Sequence, residues 1–183
     1  MRVAILTVSD AGARGERADQ SGDEIERWVI ARNATRAARH LVADDPVAIV
    51  RALTAWCDGD VADVVLTTGG TGLSSRDITP EATRAVIERE APGIAERIRL
   101  KSIDSFPRAA LARGIAGVRH RTLVVNLPGS LSGVRDALAA LDPIIDHACD
   151  ILRGKVTDHS PTAPPLGSGA TDPGSRSSGG ERK

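Results

Sequence analysis

The sequence has few of the residues on which nucleic-acid-binding proteins depend. Only three of its 183 residues are aromatic, none of them Tyr, and 24 Lys and Arg balance 24 Asp and Glu. With no basic excess and few rings on which bases could stack, the composition argues against binding to nucleic acid. Small anions are still possible ligands, because a local electric field needs no net charge.

Cysteines and long hydrophobic runs are also scarce. Cys57 and Cys149 lie far apart, and neither has a second Cys or His at the spacing of metal ligands. This argues against a disulfide framework and a zinc site, and we expect a protein of the reducing cytoplasm. The first hydrophobic run, residues 3–8, is too short to cross a membrane, so we expect a strand there and no membrane association.

Composition changes sharply after Gly154. Residues 155–183 contain five Gly, four Pro and five Ser, and their only larger aliphatic residues are Val156 and Leu166. Such a segment buries too little apolar surface to offset the entropy lost on ordering. We therefore predict one folded domain over residues 1–154 and a disordered tail over 155–183.

Strand-like and helix-like patterns alternate within residues 1–154, which predicts an α/β fold of three layers, with a mostly parallel sheet between helices on both faces. The predicted strands span residues 3–8, 37–42, 61–66 and 122–126. The predicted helices begin at Ser21, at Pro46 behind the cap Asp45, at Thr79, at residue 92 with a break near Pro107, and at Asp142, with Gly154 closing the last.

Ligands of open parallel sheets bind beyond the carboxyl ends of the strands. Four distinctive loops should lie there: Ser9-Asp10, Asp44-Asp45, residues 67–77 and Pro128-Gly129. We therefore expect one site built from all four loops.

The glycine loop at residues 67–72 (TTGGTG) is the strongest signal. It is neither a P-loop, because Leu73-Ser74 stands where Lys-Ser/Thr is needed, nor a dinucleotide fingerprint, because Ser75 replaces the third glycine. A tight turn that merely needs glycine is one interpretation, and a nest of backbone amides for an anion is the other. The many hydroxyls around the loop favour the ligand.

This loop, with RDITPEAT at residues 76–83, closely resembles the signature of the MogA/MoaB-type molybdenum cofactor biosynthesis proteins, the molybdopterin adenylyltransferase domain. Further matches follow in the family's order: Ser9-Asp10, Asp19-x-Ser21-Gly22, Asp44-Asp45, Ser102 with Pro107, Leu111-x-Arg113 and Asn126-Leu127-Pro128-Gly129. The resemblance spans about residues 3–153. It departs at Leu131, where relatives often have proline.

The resemblance implies transfer of AMP from ATP to the terminal phosphate of molybdopterin, with Mg²⁺ present. It also implies a homo-oligomer, with a trimer favoured, and allows a downstream molybdenum-insertion protein as a partner. Asp44 and Asp77 match the family's two functionally important aspartates, so we predict that they are catalytic and hold Mg²⁺. The alternative is a non-catalytic molybdopterin-binding module or carrier of the same fold.

Substrate contacts are expected on all four loops. The residues are Ser9, Asp10, Thr68, Gly69, Gly70, Thr71, Gly72, Ser75, Thr79, Pro128, Gly129 and Ser130. Less specific roles stay open at several positions. Asp44 could merely flank the cap Asp45, Asp77 could pair with Arg76 or another Lys or Arg nearby, and Ser9-Asp10 could be a solvated turn. For Arg113 we expect a structural or interface role.

Overall fold

The computed structural model of the chain describes residues 1–103 and 106–156. The predicted tail from residue 157 onwards lies outside the described residues, and so does Ser105 near the predicted helix break. Within the described part, no helix is long and apolar enough to cross a membrane.

A six-stranded sheet, in the order β2-β1-β3-β6-β5-β4, organises the molecule. β2, β1, β3 and β6 run parallel, whereas β5 and β4 are antiparallel additions at one edge. The strands are β1 (Arg2–Val8), β2 (Thr35–Val42), β3 (Val64–Thr68), β4 (Arg89–Glu90), β5 (Ala116–Arg119) and β6 (Thr122–Leu127). The predicted mostly parallel sheet is thus confirmed.

Helices cover both faces of this sheet, which confirms the three-layer architecture. The helices are α1 (Asp10–Ala13), α2 (Gln20–Ala31), α3 (Pro46–Asp58), α4 (Thr79–Arg84), α5 (Pro92–Ile103), α6 (Leu131–Leu141) and α7 (Ile145–Leu152), with a 3-10 turn at Pro107–Leu111. Side chains of β1 alternate between the layers: Val3 and Ile5 pack with α2, α6 and α7, whereas Ala4 and Leu6 pack with α3 and α4.

Two helix starts differ from the prediction. Helix α2 is capped by Asp19 instead of Ser21, because the Asp19 carboxylate accepts the amide of Gly22 at 2.8 Å. Asp142 starts no helix but is the C-cap residue of α6; its carboxylate accepts the indole N–H of Trp28 at 2.8 Å, and α7 begins at Ile145. The Asp45-Pro46 start of α3 is confirmed, with Asp45 accepting the amide of Val47.

Other boundaries shift. β3 begins at Val64 instead of residue 61, and the loop predicted after Asp10 contains the short helix α1. Thr79 starts α4 without capping it, because its hydroxyl donates to the glycine loop. The hydrophobic pattern did not predict β4 and β5, which are only two and four residues long.

Candidate active site

The four predicted loops meet at the carboxyl edge of the sheet. β1, β3 and β6 end side by side in parallel register, with Thr7 opposite Thr68 and Thr68 opposite Leu127. Hydrogen bonds then join the loops: the Thr68 hydroxyl donates to the carbonyl of Pro128 at 2.7 Å, and the Ser21 hydroxyl donates to that of Gly129 at 2.9 Å. The structure therefore brings the predicted loops together, and their use as one composite site stays a prediction.

The glycine loop adopts a backbone that side chains would obstruct. Gly69 and Gly70 have φ values of +95° and +62°. A Cβ on Gly69 would lie 2.2 Å from the carbonyl oxygen of Val8, and one on Gly70 would lie 2.4 Å from the Thr79 hydroxyl. Glycine is therefore needed for both conformation and close approach.

Thr79 fixes the first half of the loop by binding the carbonyls of Gly69 and Gly70. Its hydroxyl donates to the carbonyl of Gly69 at 2.9 Å, and its amide donates to the carbonyl of Gly70 at 3.0 Å. Across residues 1–103 and 106–156, the amides of residues 70–72 have no protein acceptor. The loop thus has occupied carbonyls and available amides, as an anion nest requires.

Asp44 and Asp10 are joined by two reciprocal hydrogen bonds, in which the carboxylate of each accepts the backbone amide of the other. The Asp10 amide donates to Oδ2 of Asp44 at 2.8 Å, and the Asp44 amide donates to Oδ1 of Asp10 at 3.0 Å. The second oxygen of Asp10 accepts from Arg76. The Asp44 amide and then Arg76 lower the pKa of the Asp10 carboxyl. Arg76 therefore pairs with Asp10, not with Asp77 as the alternative interpretation had it.

Asp77 closes the polar turn that follows the glycine loop. Its Oδ2 accepts the amide of Ser74 at 2.8 Å and would lie 2.9 Å from a Cβ on Gly72. This contact holds the carboxylate against the loop.

Two cavities adjoin the glycine loop. The first, of about 420 Å³, lies between the β1, β2 and β3 ends and the start of α2. The second, of about 550 Å³, lies between the loop, α5, the 3-10 turn and the start of α6. The residues lining both cavities are Gly70, Asp77, Gly129 and Ser130. The two cavities therefore share one wall.

Most of the predicted site residues line these cavities. They are Ser9, Asp44, Thr68, Gly69, Gly70, Thr71, Gly72, Asp77, Pro128, Gly129 and Ser130. Three others lie elsewhere: Asp10 has both oxygens on protein donors, Thr79 is fully buried, and Ser75 is exposed on the turn. The contacts of all these residues with substrate stay predictions.

Sequence reasoning missed several charged residues of the cavity walls. Arg17 lines the first cavity, and Arg99 and Asp136 line the second. Arg99 donates to the carbonyl of Gly114 at 3.0 Å, so it also holds the chain after the 3-10 turn. Helical spacing places Arg99 on α5 but does not reveal that this face borders a cavity.

Leu131, the position that departs from the family pattern, is the first residue of α6. Ser130 caps the helix, because its hydroxyl accepts the amide of Gly133 at 3.2 Å. α6 therefore begins at Leu131 without proline at its first position.

The carboxylates of Asp44 and Asp77, which line the first cavity, fit a magnesium ion that arrives with a polyphosphate. Among the described residues, no group of three or more His, Cys, Asp or Glu is placed to hold a metal. Mg²⁺ usually takes one or two carboxylates together with substrate phosphates and water, not an all-protein cage. Asp44 and Asp77 line the same cavity, and each has one oxygen fixed by a backbone amide, so the pair satisfies that requirement.

Residues 4–147 match the family model described as "Probable molybdopterin binding domain". The chain belongs to this family. The predicted resemblance is thereby confirmed over nearly the whole sheet and its helices.

Relatives with this domain are similar over most of the chain. The molybdopterin adenylyltransferase of Helicobacter pylori (strain J99) is 37% identical over 156 residues, covering 84% of this chain and 89% of that protein. The Escherichia coli K12 enzyme of the same name is 35% identical over 75% of each chain. The crystal structure of the molybdopterin biosynthesis enzyme MoaB from Thermus thermophilus is 49% identical with a TM-score of 0.79, covering 84% of this chain and 96% of that one.

Proposed function

We propose that this chain is a molybdopterin adenylyltransferase. An oxygen of the terminal phosphate of molybdopterin attacks the α-phosphorus of ATP, and a new P–O bond forms. The bond between the α-phosphorus and the bridging oxygen of the β-phosphate breaks, so that adenylylated molybdopterin and pyrophosphate leave. The observation that carries this proposal is the wall that the two cavities share at Gly70 and Asp77.

Two cavities with a common wall suit a reaction between two bulky anions. Each cavity falls within the volume range of small-molecule sites, which is about 300–1,000 Å³. A substrate in each would bring its reacting phosphate to residues 70 and 77. Because phosphoryl and nucleotidyl transfer asks little covalent chemistry of a protein, alignment and charge neutralisation supply most of the catalysis.

The glycine loop and the aspartates divide that work. The amides of residues 70–72 donate to phosphate oxygens, on which negative charge builds up during transfer. Asp44 and Asp77 would hold Mg²⁺, whose chemistry is to neutralise the phosphates of ATP. The amides would thus bind the reacting phosphates directly, and the two aspartates would act through the metal ion.

The relatives support the same reaction. Two proteins named molybdopterin adenylyltransferase match the chain at 35–37% identity. ATP as the donor, Mg²⁺, a homotrimer, the cytoplasm and a downstream molybdenum-insertion protein stay predictions from the family resemblance.

The purified protein incubated with molybdopterin, ATP and Mg²⁺ tests this function. We expect pyrophosphate and adenylylated molybdopterin in equal amounts, and no pyrophosphate when either molybdopterin or Mg²⁺ is left out. Tight binding of molybdopterin with pyrophosphate at background level would instead favour the carrier.

A further inference from the structure

Arg113 holds the half of the glycine loop that Thr79 does not reach. Its amide donates to the carbonyl of Thr71 at 2.9 Å, and its Nε donates to the carbonyl of Gly72 at 2.7 Å. Its Nη2 donates to the carbonyl of Asp77. One residue therefore occupies three carbonyls of the segment that carries the available amides and the carboxylate of Asp77.

The charge of Arg113 is balanced inside the protein. Its guanidinium forms an ion pair with Glu81 on α4, and that contact lowers the pKa of the Glu81 carboxyl. A guanidinium engaged with a carboxylate and two carbonyls has few donors left for a substrate phosphate. This argues against direct phosphate binding by Arg113.

The backbone around Arg113 is itself fixed. The carbonyl of Gly114 accepts from Arg99 on α5 at 3.0 Å, and the Ile115 carbonyl accepts the amide of Asn126 on β6 at 2.9 Å. Asn126 in turn donates to the hydroxyls of Thr67 and Thr83 at 3.0 and 2.9 Å. The arginine is thus anchored to the strand layer from which the glycine loop leaves.

We propose that Arg113 is a positioning residue that binds the carbonyls of residues 71, 72 and 77 and so turns the available amides of residues 71 and 72 and the Asp77 carboxylate toward the reacting phosphates. This inference rests on the proposed function for its catalytic consequence. The planar fork of arginine suits the task, because it reaches carbonyls at both ends of the turn at once, which a lysine ammonium cannot do. The expectation of a structural role for Arg113 is thereby made specific.

Arg119 provides a matched control at the other end of the strands, opposite Thr122, where β6 begins. It also combines a carboxylate, that of Asp58, with a carbonyl, that of Val86 at 3.0 Å. R113K, R113Q, R119K and R119Q are compared for melting temperature, kcat, KM for ATP, and affinity for inorganic pyrophosphate in the presence of Mg²⁺.

We expect R113Q to lower kcat roughly 100-fold and R113K roughly tenfold, with smaller rises in KM, because the reacting groups are misaligned. Both Arg119 variants keep kcat within about twofold of the wild type, although their melting temperatures fall by as much as those of the Arg113 variants. E81Q, which removes the ion pair but keeps the carbonyl contacts, lowers kcat less than about threefold.

Equal kcat losses in R113Q and R119Q, or in R113Q and E81Q, would overturn the positioning role. R113K decides the question if R113Q does not fold. A wild type that releases no pyrophosphate contradicts the proposed reaction alone. The affinity for pyrophosphate then still tests the role of Arg113. If the inference is right, this affinity falls at least roughly fivefold in R113Q and stays unchanged in R119Q. If the inference is wrong, the affinity is equal in both variants.

Discussion

Aspartates have opposite surroundings at the two ends of the parallel strands, the amino edge, where the strands begin, and the carboxyl edge, where they end. At the amino edge, Asp63 accepts the amide of Arg2 at 2.6 Å and pairs with Arg153 at 2.7 Å, and its side chain is only 14% exposed. At the carboxyl edge, the carboxylates of Asp44 and Asp77 accept backbone amides and, within residues 1–103 and 106–156, have no Lys, Arg or His partner.

This difference separates aspartates that support the fold from aspartates that, under the proposed function, serve a ligand. Burial raises the pKa of Asp63, but hydrogen bonds from Arg2 and the charge of Arg153 outweigh burial and lower it overall. Its charge is thus satisfied by the protein. Asp44 and Asp77 instead present negative charge to a cavity, which is useful only where a cation or a donor joins them.

The largest expected effect comes from neutralising the aspartates at the carboxyl edge. D44N and D77N each keep an oxygen that can accept the backbone amide, so the fold should persist while kcat falls roughly 100- to 1,000-fold, as when a transition-state contact is lost. Product formation and melting temperature measure the two effects. Turnover at the wild-type rate in either variant would contradict the role given to that residue.

The glycine loop should show a smaller, mixed effect. G70A places a Cβ 2.4 Å from the Thr79 hydroxyl at a φ of +62°, so we expect a loss of about 1–2 kcal/mol in the free energy of unfolding and roughly tenfold in kcat. G93A is the control, because a Cβ there meets no atom within 4 Å among the described residues and Gly93 has no positive φ. Equal effects in both variants would refute the strain argument.

The amino edge should respond in stability alone. D63N removes a charged acceptor from Arg2 and Arg153, so the free energy of unfolding should fall by about 2 kcal/mol, with kcat per folded molecule unchanged. D150N is the control, since it disrupts only an exposed pair with Lys155.

The pH dependence of this stability difference follows from the lowered pKa of Asp63. Its contribution is complete above the unfolded-state pKa, about 3.9, and is lost as the pH falls towards the folded-state value. The gap between wild type and D63N should therefore shrink between pH 7 and pH 3 in denaturant melts. A constant gap would mean that the Asp63 charge does not stabilise the fold.

Much of this fold could be predicted because three of its four parallel strands, β1, β3 and β6, are buried and its cap signals are local. The Asp45-Pro46 start is one example. The misassigned caps had a different cause: Asp19 and Ser21 are both good capping residues two positions apart. Contacts from distant parts of the chain distinguish them, because Thr7 and Arg39 bind Asp19 and the Ser21 hydroxyl donates to the carbonyl of Gly129. Likewise, Trp28 and Arg32 bind Asp142 from another helix, a contact that no local pattern reveals.

In the candidate site, too, features set by local sequence could be predicted, whereas features set by contacts between distant segments could not. The loops and their order could be predicted from strand ends and glycines. The placement of Asp10, Thr79 and Arg99 depends on contacts between segments distant in sequence, such as Asp10 with Asp44. The missed strands β4 and β5 are short, and β5 includes Gly117, where a Cβ would meet the Arg89 carbonyl oxygen at 2.7 Å.

The contact between Gly69 and Gly129 has a consequence for altering specificity. A Cβ on Gly129 would lie 3.1 Å from the Cα of Gly69, so the two main chains meet with no side chain between them. Gly129 lines both cavities, so a side chain placed there would enter the wall between them. Under the proposed function, one substitution at this position would therefore alter the binding sites of both substrates at once.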